Sequence, residues 1–154
     1  MNIGIDPKER YVLAHVLSKL LADSHFLYLK TQGYHWNVTG PMFHSLHALF
    51  EEQYTEVWTA QDVIAERIRA LGYVAPFTHE RFHLLTQIRE AKTVPSATEM
   101  VVDLMHDHEL LINSSRCIVP IAADAQDETT IDLVTQRLSS HEKNAWMLRS
   151  ILGS

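Results

Sequence analysis

Between Pro41 and Gly72 the chain carries neither glycine nor proline. That run constrains the fold more than any other feature, because a stretch this long without a breaker reads as one helix of roughly 45 Å at the usual rise. Gly40 is placed to cap its start and Pro41 to occupy the first helical position, where a missing N–H costs nothing. Gly72 is placed to end it in a left-handed cap. On this rod His47 and Glu51 lie one turn apart, as do Asp62 and Glu66, and all four project within a sector of roughly 100°. Yet His47 and Asp62 are about four turns, roughly 22 Å, apart along the axis. One metal ion cannot touch both ends of the same helix.

A second copy of the helix removes the difficulty. Placed antiparallel, with a two-fold axis near Thr55 to Trp58, it brings the His47/Glu51 turn of one chain against the Asp62/Glu66 turn of the other. A closed dimer then holds the site twice. His35, read as lying in the loop before the helix, reaches the same place. The expected site is intersubunit: His35, His47 and Glu51 from one chain, Asp62 and Glu66 from its partner.

The segments HWNVTGPMFHSLHALFEE and DVIAERIRALG resemble the Dps family, the twelve-subunit miniferritins. The shared pattern is HWN, a Gly-Pro or similar helix start, LH with a carboxylate one turn on, and D-x-x-A-E-R at the helix end. Carried over residue by residue, the resemblance puts ferroxidase ligands on His35, His47, Asp62 and Glu66, with Glu51 as auxiliary carboxylate. It implies an all-α fold: a ferritin-like four-helix bundle with a short extra helix in the crossover between its second and third long helices, assembling as a hollow dodecamer. It also implies that Trp36, beside His35, takes up stray oxidising equivalents, though an interface anchor suits Trp36 equally.

Composition agrees. A chain of 154 residues with 46% hydrophobic and 21% charged residues suits one domain spanning residues 1–154 with a substantial core. The single cysteine, Cys117, permits no internal disulfide, suits a reducing cytoplasm and reads as a small buried apolar residue. No apolar run reaches the length of a membrane span, and MNIGIDPKER has no signal-peptide core. The net charge of −6 argues against a dedicated nucleic-acid binder and suits a protein that gathers cations.

Before the long run, Asp6-Pro7 caps a helix expected to reach about Thr31, with residues 33–40 as a connection. His15 and His25 on it read as packing or solvent-facing. After the run, residues 72–95 form a crossover in which HERFHLLTQI makes a short helix. Its Glu80 and His83 form the E-x-x-H of ordinary di-iron bundles, but those need the motif twice on long helices. It therefore reads as a surface turn. Ser96 and Glu99 form a capping box that opens a helix expected to run to about Ile118. In it, His106, Asp107, His108 and Glu109 point to different faces and read as mostly solvent-facing. Asp124, Asp127 and Glu128 lead into a last helix expected to carry Asp132 on its opening turn. Acids there suit the macrodipole. The resemblance instead implies three-fold pores admitting Fe²⁺, narrowed by Asp132 with Asp127 and Glu128 near the mouth.

The expected activity is oxidation of Fe²⁺, bound at the shared site as a di-iron centre or as one iron plus water. The resemblance implies hydrogen peroxide as the preferred oxidant over oxygen, and storage of the Fe³⁺ mineral in the shell. Imidazole and carboxylate suit iron(II), and the acids offset the charge gained on oxidation. The competing reading is a DNA-compacting nucleoid protein with secondary iron chemistry. Against it, the ends offer few cations: Lys8 and Arg10 belong to the first helix, and LRSILGS has one Arg, so DNA binding is expected to be weak.

Overall fold

A computed structural model describes residues 1–153 as five helices: α1 (Pro7–Asn37), α2 (Phe43–Ala70), α3 (His79–Leu85), α4 (Ala97–Asp124) and α5 (Glu128–Leu152). Among the described residues there is no strand, and no helix is long and apolar enough to cross a membrane. Helices α1 and α2 pack as one hairpin and α4 and α5 as another; α1 against α4 joins the two halves. The shared core runs through Leu13, Leu17, Leu20 and Leu27 of α1, Leu46, Phe50, Ile64 and Ile68 of α2, and Met100, Leu104 and Leu111 of α4. These positions keep helical period, so each helix buries one stripe and leaves the opposite face outside.

The helix ends differ from expectation in instructive ways. Helix α1 does not stop near Thr31 but continues to Asn37. One glycine, Gly33, costs a helix about 1 kcal/mol. Burial of Tyr34 and Val38, with the Tyr34 hydroxyl donating to Asp103 at 2.7 Å, outweighs it. His35 and Trp36 are therefore helical rather than in a loop. Helix α2 starts at Phe43, with Met42 at the N-cap and no side-chain cap bond. Gly40 (φ +97°) opens a turn instead, its carbonyl accepting from the Phe43 N–H at 3.0 Å. Helix α4 passes through Pro120 and ends at Asp124, six residues beyond Ile118. Pro120 is exposed, while Ile118, Ala122 and Ala125 are buried around it and hold the last turns on the core. Cys117 is exposed, because Ser115 and Ile118 take the inward positions of that turn.

Two end signals appear as expected. Ser96 and Glu99 form a reciprocal capping box. Gly72 adopts φ +97°, with its N–H donating to the Arg69 carbonyl at 2.9 Å and the Tyr73 N–H to that of Ile68 at 3.2 Å, a Schellman arrangement. A methyl group at Gly72 would also approach the Met1 side chain to 2.5 Å. Gly72→Ala is expected to lower stability by about 1–2 kcal/mol, read as a shifted urea midpoint at unchanged slope. Asn there should recover part of the loss.

Candidate metal centre

The two histidines meet because α1 and α2 are antiparallel neighbours and the turn at residues 38–42 is short. His35 Nδ1 donates to the His47 carbonyl at 2.8 Å, and His47 Nδ1 donates to the His35 carbonyl at 2.8 Å. The rings stack with centroids 3.8 Å apart at 19°. A carbonyl oxygen only accepts, so both rings are held as the Nδ1–H tautomer with the lone pair on Nε2. Neither Nε2 has a hydrogen-bond partner among the described residues. This is the arrangement a histidine ligand needs: one nitrogen fixed by the protein, the other free. The orienting partner of His35 is thus the backbone of the other histidine.

Two aromatic rings wall the pair. Tyr54 meets His35 edge-on at 5.3 Å, and Phe43 lies 5.1 Å from His47. Neither belongs to the ligand pattern of the sequence, although spacings of one and two turns from His47 place them on its face. Trp36, next to His35, is 66% exposed.

Glu51, Asp62 and Glu66 are exposed on α2, and none forms a hydrogen bond or ion pair among the described residues. They lie on the side turned away from the core stripe of Leu46, Phe50, Val57, Ile64 and Ile68. Asp62 and Glu66 remain at the far end of α2 from the histidines. No group of three or more His, Cys, Asp or Glu side chains converges on a metal-sized space among the described residues of one chain. Between the two ends, on the same face, Trp58 stands 62% exposed.

The acids at the α4–α5 turn divide. Asp127 is buried and caps α5, accepting from the Thr130 N–H at 3.0 Å. It pairs with Arg67 of α2 at 2.6 Å, and Arg67 Nε donates to the Thr130 hydroxyl at 2.9 Å. Burial opposes its charge, but Arg67 and the Thr130 hydrogen bonds outweigh that and hold its carboxyl below the ordinary range. Glu128 is exposed at the first position of α5, and Asp132 is exposed one turn later, not in the opening turn, accepting from Gln136 at 2.9 Å. Glu80 and His83 are exposed on the seven-residue α3. The 106–109 cluster is not mostly solvent-facing: Asp107 and His108 are buried, Asp107 pairing with Lys30 at 2.6 Å. Only His106 points fully outward.

Residues 14–154 match the ferritin-like domain family. DNA protection during starvation protein 2 of Bacillus anthracis is 40% identical over 137 residues, 89% of this chain and 94% of that protein. The chain belongs to the ferritin-like family, in its Dps branch. A Dps protein from Vibrio cholerae O1, described as one of a broad superfamily of ferritin-like diiron-carboxylate proteins, superposes with TM-score 0.94 at 33% identity, covering 99% of this chain and 96% of that one. A low temperature-induced protein of Nostoc sp. is 44% identical over 154 residues, 99% of this chain and 86% of that protein.

Proposed function

We propose that this protein is an iron-oxidising and iron-storing miniferritin. Twelve copies form a hollow cytoplasmic shell, Fe²⁺ is oxidised at sites shared between two subunits, and the ferric product is kept inside, away from DNA. The observation that carries this reading is the reciprocal lock of His35 and His47. It presents two Nε2 lone pairs at one end of a helical face whose other end holds the unpaired acids Asp62 and Glu66. Exposed Trp58, midway between the ends, is where a two-fold partner would bury apolar surface. An antiparallel partner completes His35, His47 and Glu51 with Asp62 and Glu66.

At such a site the imidazoles hold Fe²⁺ and the carboxylates favour Fe³⁺, which lowers the barrier to electron loss. Hydrogen peroxide is the preferred oxidant. Two Fe²⁺ each give one electron, the O–O bond breaks, and with water the products are two hydrated ferric oxide units and four protons. Because the oxidant takes both electrons together, no hydroxyl radical is released. Glu128 and Asp132 are the exposed acids available to draw Fe²⁺ in through three-fold pores.

The test is anaerobic loading with Fe²⁺ followed by peroxide or oxygen, with ferric absorbance as readout. Peroxide should oxidise the bound iron at least tenfold faster than oxygen, and a rate no faster than iron in buffer sinks the reading. The DNA-compacting alternative finds little support in the arm. Met1 packs against Gly72, and Arg10 is engaged with the Leu71 carbonyl at 3.1 Å. A gel shift across salt concentrations should show only weak complexes.

A further inference from the structure

The centre of the α4–α5 hairpin holds two histidines that the iron site does not use. His108 of α4 and His141 of α5 are both fully buried, with Nδ1 atoms 2.9 Å apart. At that distance one nitrogen must donate and the other accept, so the pair shares a single proton between the facing atoms. Neither Nε2 has a hydrogen-bond partner among the described residues. Among the described residues no carboxylate forms a hydrogen bond or ion pair with either ring. The charged group acting on both is Arg137, one turn before His141 on α5. Its guanidinium is itself paired with Glu56 of α2. Asp107, beside His108 on α4, is turned to Lys30 of α1. The rings thus face each other and a cation, and the nearby acids Glu56 and Asp107 are paired with Arg137 and Lys30.

We propose that this neutral imidazole pair is an acid-sensitive joint between α4 and α5, so that acid loosens the subunit by forcing charge into the hairpin. A second proton on the facing nitrogens would set two donors against each other and break the link. Burial, and then the Arg137 charge, hold His108 down to about 3, and burial with His108 and Arg137 lowers His141 as well. In the unfolded chain both titrate near 6.5. The folded state therefore binds fewer protons than the unfolded state below that value. The stability these rings contribute is complete above pH 6.5 and is lost progressively as pH falls toward the folded values. Each ring shifts the folding equilibrium about tenfold per pH unit, and the pair about a hundredfold. The difference in slope between wild type and variants separates this effect from the carboxylates, which both share. Asp23 and Asp107, raised by burial, add stability on acidification, and Asp127 loses its contribution only at lower pH.

The experiment is urea unfolding of the assembled protein from pH 7.5 to 5, comparing wild type with His141→Asn and with His108→Asn/His141→Asn. Asn retains a hydrogen-bonding nitrogen near Nδ1 and cannot titrate. Wild type should lose up to about a hundredfold in folding equilibrium per pH unit below 6.5, the single variant about tenfold, and the double variant little. A wild-type profile flat across this range, or a double variant with the wild-type slope, overturns the proposal. If the double variant does not fold, nitrogen-15 spectra of the wild-type imidazoles decide. Both rings neutral at pH 5.5 in the folded protein support the joint, and a charged ring there overturns it.

Discussion

Two inactive variants, mixed, are expected to make an active enzyme. Shells of His47→Ala subunits and shells of Asp62→Ala subunits should each oxidise Fe²⁺ at least a hundredfold more slowly than wild type. In a mixed dimer one site combines both lesions, while the other combines the intact His47 of one chain with the intact Asp62 of its partner. Random reassociation makes half the dimers mixed, each with one good site of two, so about a quarter of wild-type activity should return. A site within one chain predicts none. Subunit exchange is checked independently by mass-tagging one variant. Exchange without recovery would remove the shared site while leaving the fold untouched.

The expectation is this sharp because of the geometry of α2. About four turns of rigid helix separate His47 from Asp62, and core packing along Leu46, Phe50, Val57, Ile64 and Ile68 forbids bending them together. His35 cannot shift toward the acids either, since its Nδ1 is tied to the His47 carbonyl. Both histidines move as one unit at one end of the rod. Asp62 and Glu66 of the same chain stay out of their reach, so the proposed site takes those two acids from a partner.

Much of this was legible in the residues, for identifiable reasons. The shared α2 face of His47, Glu51, Asp62 and Glu66 follows from helical period alone, and the Gly72 cap and Ser96–Glu99 box are local signals that tertiary structure had no cause to override. What escaped was set by long-range contact. The extension of α1 past Gly33 depends on Tyr34 reaching Asp103, and no local propensity encodes that. The carbonyl lock needs two backbones side by side. His108 and Asp107 read as solvent-facing because polar residues in adjacent positions usually are. Their burial depends on His141 and Lys30, distant in sequence, arriving to satisfy them. Cys117 failed in the opposite sense: its residue type favours burial, but its turn of α4 already had two inward positions filled.

Asp127 and Asp132 should part company on mutation, although both are acids near the start of α5. Asp127→Ala is expected to cost about 3–5 kcal/mol, because it strips the partner from Arg67 and the cap from α5 at one stroke. The loss should appear as a lower urea midpoint, with Fe²⁺ oxidation reduced only as far as the fold is lost. The same carboxyl gives a pH signature. Its folded value lies below the unfolded one, so its stabilisation is present above about pH 4 and disappears as pH falls through the folded value. The variant should therefore be flatter than wild type in strong acid. Asp132→Asn should do the reverse, because its side chain is exposed and bonded only to Gln136 one turn away. Stability should change by less than about 0.5 kcal/mol, while iron uptake slows several-fold if three copies of Asp132 narrow an entry pore. Equal destabilisation by both would mean that Asp132 serves the fold. An unchanged uptake rate in Asp132→Asn would send Fe²⁺ into the shell by another path.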